Sequence, residues 1–201
     1  MYIASIVLNL TKIGETLFRH IERSKGQYRG KMSMKNEEEA YIAGFLDGDG
    51  SIMAQLVKRK DYKLRYQIRV SVVFYQKNTH QEFLLWLKEQ LGYGYVRMRN
   101  DGMSEYTIVG FREVQSVLTL LYPFLHLKKE LAKDVMDLIK RHPPQRKMTI
   151  SKLLSLSELV DKTARFNYSK KRTNTTTQLK KNLREQGIDI PVETEIQLAA
   201  E

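Results

Sequence analysis

Apolar and polar residues follow different periods along the chain, and the changes of period predict the order of helices and strands. The first predicted helix begins at Asn36, a good capping residue, and runs through EEEAYIAGFLDGDG to the glycines at its end. Residues 51–59 and 64–75 alternate in polarity and predict two strands, joined by a turn around KDYK. Residues 79–91 have leucines at helical spacing and predict an amphipathic helix that ends at Gly92.

A second hairpin and a set of helices complete the predicted order. The segments YGYVRMR and EYTIVG flank the turn NDGMS and predict the two strands of this hairpin. Helices are then predicted at about 111–121, 127–141 and 149–166, followed by a polar, basic stretch and a short basic helix. The order helix, hairpin, helix, hairpin, helices is typical of an α+β fold with an antiparallel sheet.

The second predicted strand has two chemically different faces. Its even-numbered positions are apolar, whereas its odd-numbered positions begin with Arg65, Gln67 and Arg69, so one face packs on helices and the other meets solvent or a partner. Arg and Gln side chains recognise guanine and adenine edges in the major groove, which admits a β-ribbon. The outer face therefore predicts contact with DNA, and an ordinary solvated sheet face is the alternative. By the same alternation, the outer face of the other strands includes Gln55, Val57, Arg59, Tyr95, Arg97 and Arg99.

The charge of the chain points to a polyanionic partner. The 201 residues include 34 Lys and Arg against 23 Asp and Glu, a formal net charge of +11. Such an excess attracts polyanions, although a generic basic surface would have the same composition. Cysteine is absent, which excludes disulfides and thiolate metal sites and favours a hard cation held by oxygens. No apolar run reaches the roughly 18 residues that a membrane-spanning helix needs.

The motif DGDG places two carboxylates, Asp47 and Asp49, at the close of the first helix. The negative end of the helix dipole disfavours an acid there, so each carboxylate needs a cation or a donor. A calcium-binding loop would need Gly and Glu where this chain has Ile52 and Lys58, and this alternative fails. An ordinary Asp- and Gly-containing turn remains open.

Small residues form a stripe along the same helix. Ala40, Gly44 and Gly48 recur every four residues, which allows another backbone to approach closely. If the partner is the same helix of a second copy, a twofold axis brings the two Asp49 carboxylates together. Two adjacent carboxylates repel each other unless metal ions lie between them, and this arrangement suits metal-assisted phosphodiester hydrolysis.

The segment YIAGFLDGDGSI resembles the LAGLIDADG signature of homing endonucleases, in particular the single-motif, homodimeric branch encoded by group I introns of algal chloroplasts. The likeness extends from about Glu37 to Leu183 and includes the blocks YQIRVSVVFYQK, LGYGYVRMR, EYTI and PFLHLKKE in order. The resemblance implies an αββαββα core with a saddle-shaped antiparallel sheet that straddles DNA, followed by C-terminal helices.

The resemblance also implies the roles of individual residues. Asp49 and the carbonyl of Gly48 would bind the catalytic metal, Mg²⁺, for which Mn²⁺ is expected to substitute. Gln76 would help to order the attacking water, and Lys128 would support transition-state charge. His80 stands where close relatives have Arg or Lys, and it is expected to lie near the scissile phosphates. The DNA contacts that the resemblance implies are Gln55, Arg59, Arg65, Gln67, Arg69, Ser71, Tyr95, Arg97, Arg99, Glu105, Thr107, Ser169, Lys170 and Arg172.

The function implied by the resemblance is intron homing. A homodimer, through an interface at Ala40, Gly44 and Gly48, would make double-strand breaks in a long pseudo-palindromic target in double-stranded DNA and promote intron mobility in the chloroplast. No membrane association is expected. The alternatives are a group I intron RNA maturase and a non-cleaving DNA-binding paralogue. RNA recognition usually uses exposed aromatic platforms, whereas the outward strand positions here are mainly Arg and Gln, which favours duplex DNA.

Three regions are expected along the chain. Residues 34–185 form the endonuclease domain, and residues 186–201 form a C-terminal tail. Residues 1–33 are basic and separate, and two interpretations are open: an organelle-targeting peptide or a dispensable extension. The second is favoured, because Met32 or Met34 could each start a shorter protein.

Overall fold

The computed structural model describes residues 35–144, 147–166 and 172–190. The predicted extension, Ser169, Lys170 and residues 191–201 of the predicted tail lie outside the described residues. The helices are α1 (Asn36–Asp49), α2 (Gln81–Leu91), α3 (Phe111–Leu121), α4 (Lys129–Arg141), α5 (Ile150–Thr163) and α6 (Thr176–Glu185). The strands are β1 (Gly50–Lys58), β2 (Tyr66–Lys77), β3 (Tyr95–Met98) and β4 (Met103–Val109).

The strands form one antiparallel sheet in the order β1-β2-β4-β3. Together with α1, α2 and α3, this sheet gives the predicted αββαββα order, so the α+β assignment is confirmed. In the parts of the chain that the structure describes, no helix combines the length and apolar character needed to cross a bilayer.

The core lies between one face of the sheet and the helices. Alternate strand residues such as Ile68, Val72 and Ile108 are at most 1% exposed, and they belong to one cluster with Leu46 of α1 and Leu87 of α2. Each such side chain contributes about 1.5–3 kcal/mol when fully buried. One face of the sheet therefore packs on the helices, and the central residues of β2 and β4 are buried on both faces.

Aromatic packing fixes α1 on the sheet. Phe45 of α1 stacks on Phe74 of β2 with a centroid distance of 6.0 Å, and Phe74 stacks on Tyr106 of β4 at 5.7 Å. The Tyr106 hydroxyl donates to the backbone carbonyl of Tyr93 at 2.7 Å. Gly94 follows with φ of 74°, and a Cβ there would lie 2.2 Å from the Thr107 carbonyl oxygen, so glycine is required. These contacts hold the end of α1 in a defined position above the sheet.

Most predicted boundaries differ from the structure by a few residues, and the physical reason is visible at two of them. Helix α1 includes Asn36 as its first helical residue, with Lys35 in the capping position, because the Glu38 carboxylate accepts the Lys35 N–H. Strand β2 begins at Tyr66 and not at residue 64, because Arg65 has a left-handed backbone with φ of 59° and closes the hairpin turn. Its carbonyl accepts the N–H of Arg59 at 2.8 Å.

Candidate active site

The two carboxylates of DGDG have different surroundings. Asp47 is buried, and its carboxylate accepts the backbone N–H groups of His126, Leu127 and Lys128 at 2.7, 3.0 and 2.9 Å. Asp49 is exposed, and within the described ranges it makes no side-chain hydrogen bond or ion pair. Protein donors therefore compensate the charge of Asp47, whereas the charge of Asp49 is available to a cation from outside.

Lys128 is brought to the same end of α1. Its ammonium donates to the backbone carbonyl of Asp47, and the side chain is half-buried. Burial lowers the pKa of the Lys128 ammonium, while the negative charges of Asp47 and Asp49 act in the opposite direction. The predicted lysine thus lies near the predicted metal-binding carboxylate.

The register of the sheet places Gln76 near Asp49. Gly50, the first residue of β1, pairs with Phe74, so Gln76 lies two residues beyond this pair, where α1 enters the sheet. The Gln76 side-chain oxygen accepts the N–H of Lys77 at 3.0 Å. His80 ends the short 3-10 turn Asn78–His80 that follows β2, and it is exposed. The end of β2 therefore carries both residues toward the end of the sheet where α1 stops.

The oxygens offered by one chain suit a shared metal site. Within the described ranges, no group of three or more His, Cys, Asp or Glu side chains is placed to hold a metal ion. One chain offers the Asp49 carboxylate and the Gly48 carbonyl, which lies in the last turn of α1, where carbonyls lack intrahelical donors. Mg²⁺ commonly takes one or two carboxylates together with waters and substrate phosphates, so two such chains fit it.

The small-residue stripe of α1 is open to a partner. Ala40, Gly44 and Gly48 are all exposed, and a Cβ built on either glycine meets nothing within 4 Å. The fold of one chain therefore does not require glycine at these positions. Tyr41 of the same helix is 58% exposed, although its ring also packs edge-on against Phe83. An unfilled surface of this kind has room for another backbone at close range.

The predicted outer residues of the sheet do share one face. In the register of β1 and β2, Gln55 pairs with Arg69, and Val57 pairs with Gln67. In the second hairpin, Tyr95 pairs with Thr107, and Arg97 pairs with Glu105. Ser71 of β2 belongs to the same alternate set, but it is 2% exposed.

The arginines of this face are oriented by acids. The Glu105 carboxylate, which is 9% exposed as a residue, accepts Arg97 at 2.7 Å and lies 3.7 Å from Arg99. Arg99 also pairs with Asp101 at 2.7 Å. Buried polar atoms normally have partners, yet Arg69 Nε and Thr107 Oγ1 have none among the described residues. The face therefore presents arginines that are held by acids, while the two unpartnered polar atoms lie beneath its surface.

Three predicted contact residues make contacts within the chain. Arg59 follows the end of β1, and its guanidinium pairs with Asp61 at 3.1 Å. Arg65 lies in the hairpin turn, and its guanidinium donates to the Lys60 carbonyl at 3.0 Å. The Arg172 guanidinium pairs with Asp161 of α5 at 3.0 Å and donates to the Val160 carbonyl at 3.4 Å. In this structure, Arg172 ties the start of α6 to α5.

The structural role of Asp47 was not predicted from the sequence. The resemblance assigned the metal to Asp49 and gave Asp47 no role, and the pairing of Asp47 with residues 126–128 supplies one. The available signal was the block PFLHLKKE, in which a helix start follows a loop near the predicted lysine.

An open sheet with a basic face, together with an exposed carboxylate at the end of a helix, defines a metal-dependent enzyme that acts on nucleic acid. The chain belongs to the LAGLIDADG endonuclease family, whose model matches residues 42–142. It is 44% identical to the DNA endonuclease I-CvuI of Chlorella vulgaris over 134 residues, which cover 67% of this chain and 82% of that protein. It is 38% identical to I-CreI of Chlamydomonas reinhardtii over 135 residues, with the same shares of each chain.

Solved structures agree with this assignment. A crystal structure of the homing endonuclease I-CvuI in complex with its target, in the presence of Ca, matches with a TM-score of 0.72 and 40% identity. The match covers 77% of this chain and 97% of that chain. An archaeal intron-encoded homing endonuclease, I-Vdi141I, matches with a TM-score of 0.67 at 19% identity, which shows the fold alone. The predicted family, fold and endonuclease activity are confirmed.

Proposed function

We propose that this protein is a homodimeric homing endonuclease that makes double-strand breaks in a long pseudo-palindromic DNA target with the help of a divalent metal ion. The observation that carries the proposal is the exposed Asp49 carboxylate, which ends a helix whose small-residue face is empty. A twofold axis along that face gives two symmetry-related carboxylates and an isologous interface. Related half-sites in the DNA then follow from the symmetry of the protein.

Each residue near the end of α1 has its own role in the proposed reaction. A divalent cation, when bound, supplies Lewis acidity and lowers the pKa of water. Asp49 and the Gly48 carbonyl hold the cation, and Gln76 orients the attacking water by hydrogen bonding. The Lys128 ammonium stabilises negative charge that develops on the phosphate. His80 is placed to add a further donor near the same phosphate.

The outer face of the sheet recognises the DNA. Its Arg and Gln side chains suit guanine and adenine edges in the major groove. Glu105 fixes Arg97 before binding, which reduces the entropy lost when the contact forms. The net charge of +11 adds sequence-independent attraction to phosphates. Ser169, Lys170 and Arg172 are proposed as phosphate contacts from the family resemblance alone.

The metal and the biological setting are inferred from relatives. Structures of I-CvuI were solved in the presence of Ca or Mg, which supports dependence on a divalent metal. We propose Mg²⁺ as the natural ion, with Mn²⁺ as a substitute. The relatives come from Chlorella and Chlamydomonas, which supports an organelle origin, and we propose the chloroplast and a role in intron mobility.

Selection of cleaved sites from a randomised duplex library, with Mg²⁺ and with a chelator in parallel, tests the proposed function. We expect metal-dependent cleavage and a recovered site with two related half-sites. A protein that binds structured RNA but leaves every duplex intact would favour the maturase alternative. Specific duplex binding without cleavage would favour a non-cleaving paralogue.

His80 offers a test of the phosphate environment. We expect His80→Arg to preserve or raise the cleavage rate at alkaline pH, since a guanidinium stays charged where an imidazole is neutral. His80→Ala should slow cleavage far less than Asp49→Asn, because metal ions carry most of the charge stabilisation. Single-turnover rates from about pH 6 to 9 measure this difference. Three superimposable pH–rate curves would end the catalytic role of His80.

The domain boundaries can be tested by deletion. Deleting residues 1–33 should leave cleavage and dimerisation intact, because the resemblance to the family begins near Glu37 and the family model matches residues 42–142. The melting temperature and the cleavage rate of the shortened and full chains should agree. A shortened chain that fails to fold would place the boundary earlier than residue 34.

A further inference from the structure

Two helix ends meet at the carboxylate of Asp47. Helix α1 ends at Asp49, and α4 begins at Lys129 with Lys128 in the capping position. Between them, Oδ2 of Asp47 accepts the N–H groups of His126 and Leu127 at 2.7 and 3.0 Å. Oδ1 accepts the N–H of Lys128 at 2.9 Å. All three residues that precede α4 are thus bound to one side chain.

The two helix ends at this junction have opposite partial charges. The C-terminal end of α1 disfavours a carboxylate, but the N-terminal end of α4 has unpaired N–H groups and a partial positive charge. Hydrogen bonds from backbone amides to a carboxylate are charge-assisted and short. Asp47 therefore joins the negative end of one helix to the positive end of another.

Asp47 also controls where the Lys128 ammonium lies. Its backbone carbonyl accepts the Lys128 ammonium, while its carboxylate accepts the backbone N–H of the same lysine. A lysine side chain is flexible, and these contacts hold it at both of its ends. Asp49 follows only two residues later, so the lysine is fixed relative to the metal-binding carboxylate.

We propose that Asp47 is a positioning residue for cleavage, which acts by fixing residues 126–128 and thereby aiming the Lys128 ammonium at the scissile phosphate. The inference rests on the proposed function, because it assigns Asp47 to the same active site. Asp47 itself touches neither metal nor DNA in this scheme. Its partners lie 79 to 81 residues away in sequence, so the contact joins two separate parts of the chain.

The test is a double-mutant cycle on the duplex recovered from the library. Asp47→Asn keeps the shape but replaces one acceptor oxygen by a donor that faces N–H groups. We expect its single-turnover cleavage rate to fall about 10- to 100-fold, because small displacements of a catalytic group are costly. The dissociation constant for the duplex should stay within about threefold of the wild-type value, since base and phosphate contacts lie elsewhere.

The double variant Asp47→Asn with Lys128→Met separates positioning from general stability. If Asp47 acts through Lys128, adding Asp47→Asn to the Lys128→Met protein lowers its cleavage rate by less than about threefold. If Asp47 only supports the fold, Asp47→Asn lowers the cleavage rates of the wild-type and Lys128→Met proteins by the same factor, and this result would overturn the inference. Thr149→Ala is the matched control, because it removes a helix cap of α5 outside the proposed site. Its melting temperature should fall while its cleavage rate stays at the wild-type value.

A conservative variant covers the case in which Asp47→Asn unfolds. Asp47→Glu keeps the charge and both oxygens but moves them by one methylene. Its cleavage rate should lie between those of the wild type and Asp47→Asn. When Asp47→Glu is added to Lys128→Met, the rate should stay that of Lys128→Met alone. Equal slowing in both backgrounds would again overturn the inference. If the Asp47→Asn protein cleaves at the full wild-type rate, only the role of Asp47 is refuted. If the wild-type protein does not cleave, the proposed function is refuted.

Discussion

Asp49→Asn should lower the single-turnover cleavage rate by about a thousandfold or more while the protein still binds its target. The substitution preserves the shape of the side chain and removes the charge that holds the divalent ion. The Asp49 side chain makes no hydrogen bond or ion pair with the part of the chain that the structure describes, so the fold loses nothing. Affinity arises from contacts spread over the sheet, and the dissociation constant should change little.

The measurement for Asp49→Asn compares cleavage rate and dissociation constant on the same duplex in Mg²⁺. The matched control is Asp137→Asn on α4, which removes a half-buried carboxylate whose only ion pair among the described residues is with Lys140 at 3.6 Å. The control should cleave at the wild-type rate. Normal cleavage by Asp49→Asn in Mg²⁺ would rule out the proposed active site.

Gly44→Leu should convert the dimer into inactive, folded monomers. A Cβ at this position meets nothing within 4 Å in one chain, so a leucine can be accommodated by the monomer. Replacing a helical glycine even favours the helix by roughly 0.5–1 kcal/mol. Close approach of a second α1 is blocked by the side chain, and each monomer keeps only one Asp49.

Sedimentation velocity, thermal unfolding and cleavage together test the Gly44→Leu prediction. The control Lys133→Leu places the same side chain on an exposed position of α4, away from the stripe, and should remain dimeric and active. The proposed interface would be wrong if Gly44→Leu stayed dimeric and active, or if the wild-type protein cleaved DNA as a monomer. Low melting temperature in Gly44→Leu would instead indicate a role for Gly44 within one chain.

Local patterns predicted most of the elements because apolar residues recur with a different period in helices and in strands. The alternation in β2 assigned the face that packs on the helices correctly, because a one-residue shift of register would move every apolar side chain to the other face. It did not predict that Ser71 and Val73 of the opposite face are buried as well. The predicted helix at about 111–121 matches α3, because Gly110 and the 3-10 turn Tyr122–Phe124 end the apolar pattern on both sides. The start of β2 was misplaced because a positive φ at a non-glycine residue, Arg65, has no reliable sequence signal.

The charge network on the outer face was not visible in the sequence. Arg97 and Glu105 are separated by a turn, and only the register of β3 and β4 places them directly opposite each other. The sequence marked both residues as contacts for DNA, but the structure shows that they first contact each other. Similarly, the spacing of Arg172 gave no indication of its pairing with Asp161.

The sequence alone determined the family, the order of helices and strands, the polar face of the sheet and the acidic end of α1, because these features depend on neighbouring residues. The tertiary structure decided the role of Asp47, which differs from the metal-binding role that the family resemblance implies for Asp49. Residues two apart on a helix point about 200° apart around its axis, so they face different surroundings. Asp47 meets three backbone amides that come from residues 79 to 81 positions later, whereas Asp49 points to solvent. Whether a carboxylate supports the fold or is free to bind a cation depends on the hydrogen-bond donors around it. For Asp47 these donors come from residues that are distant in the chain.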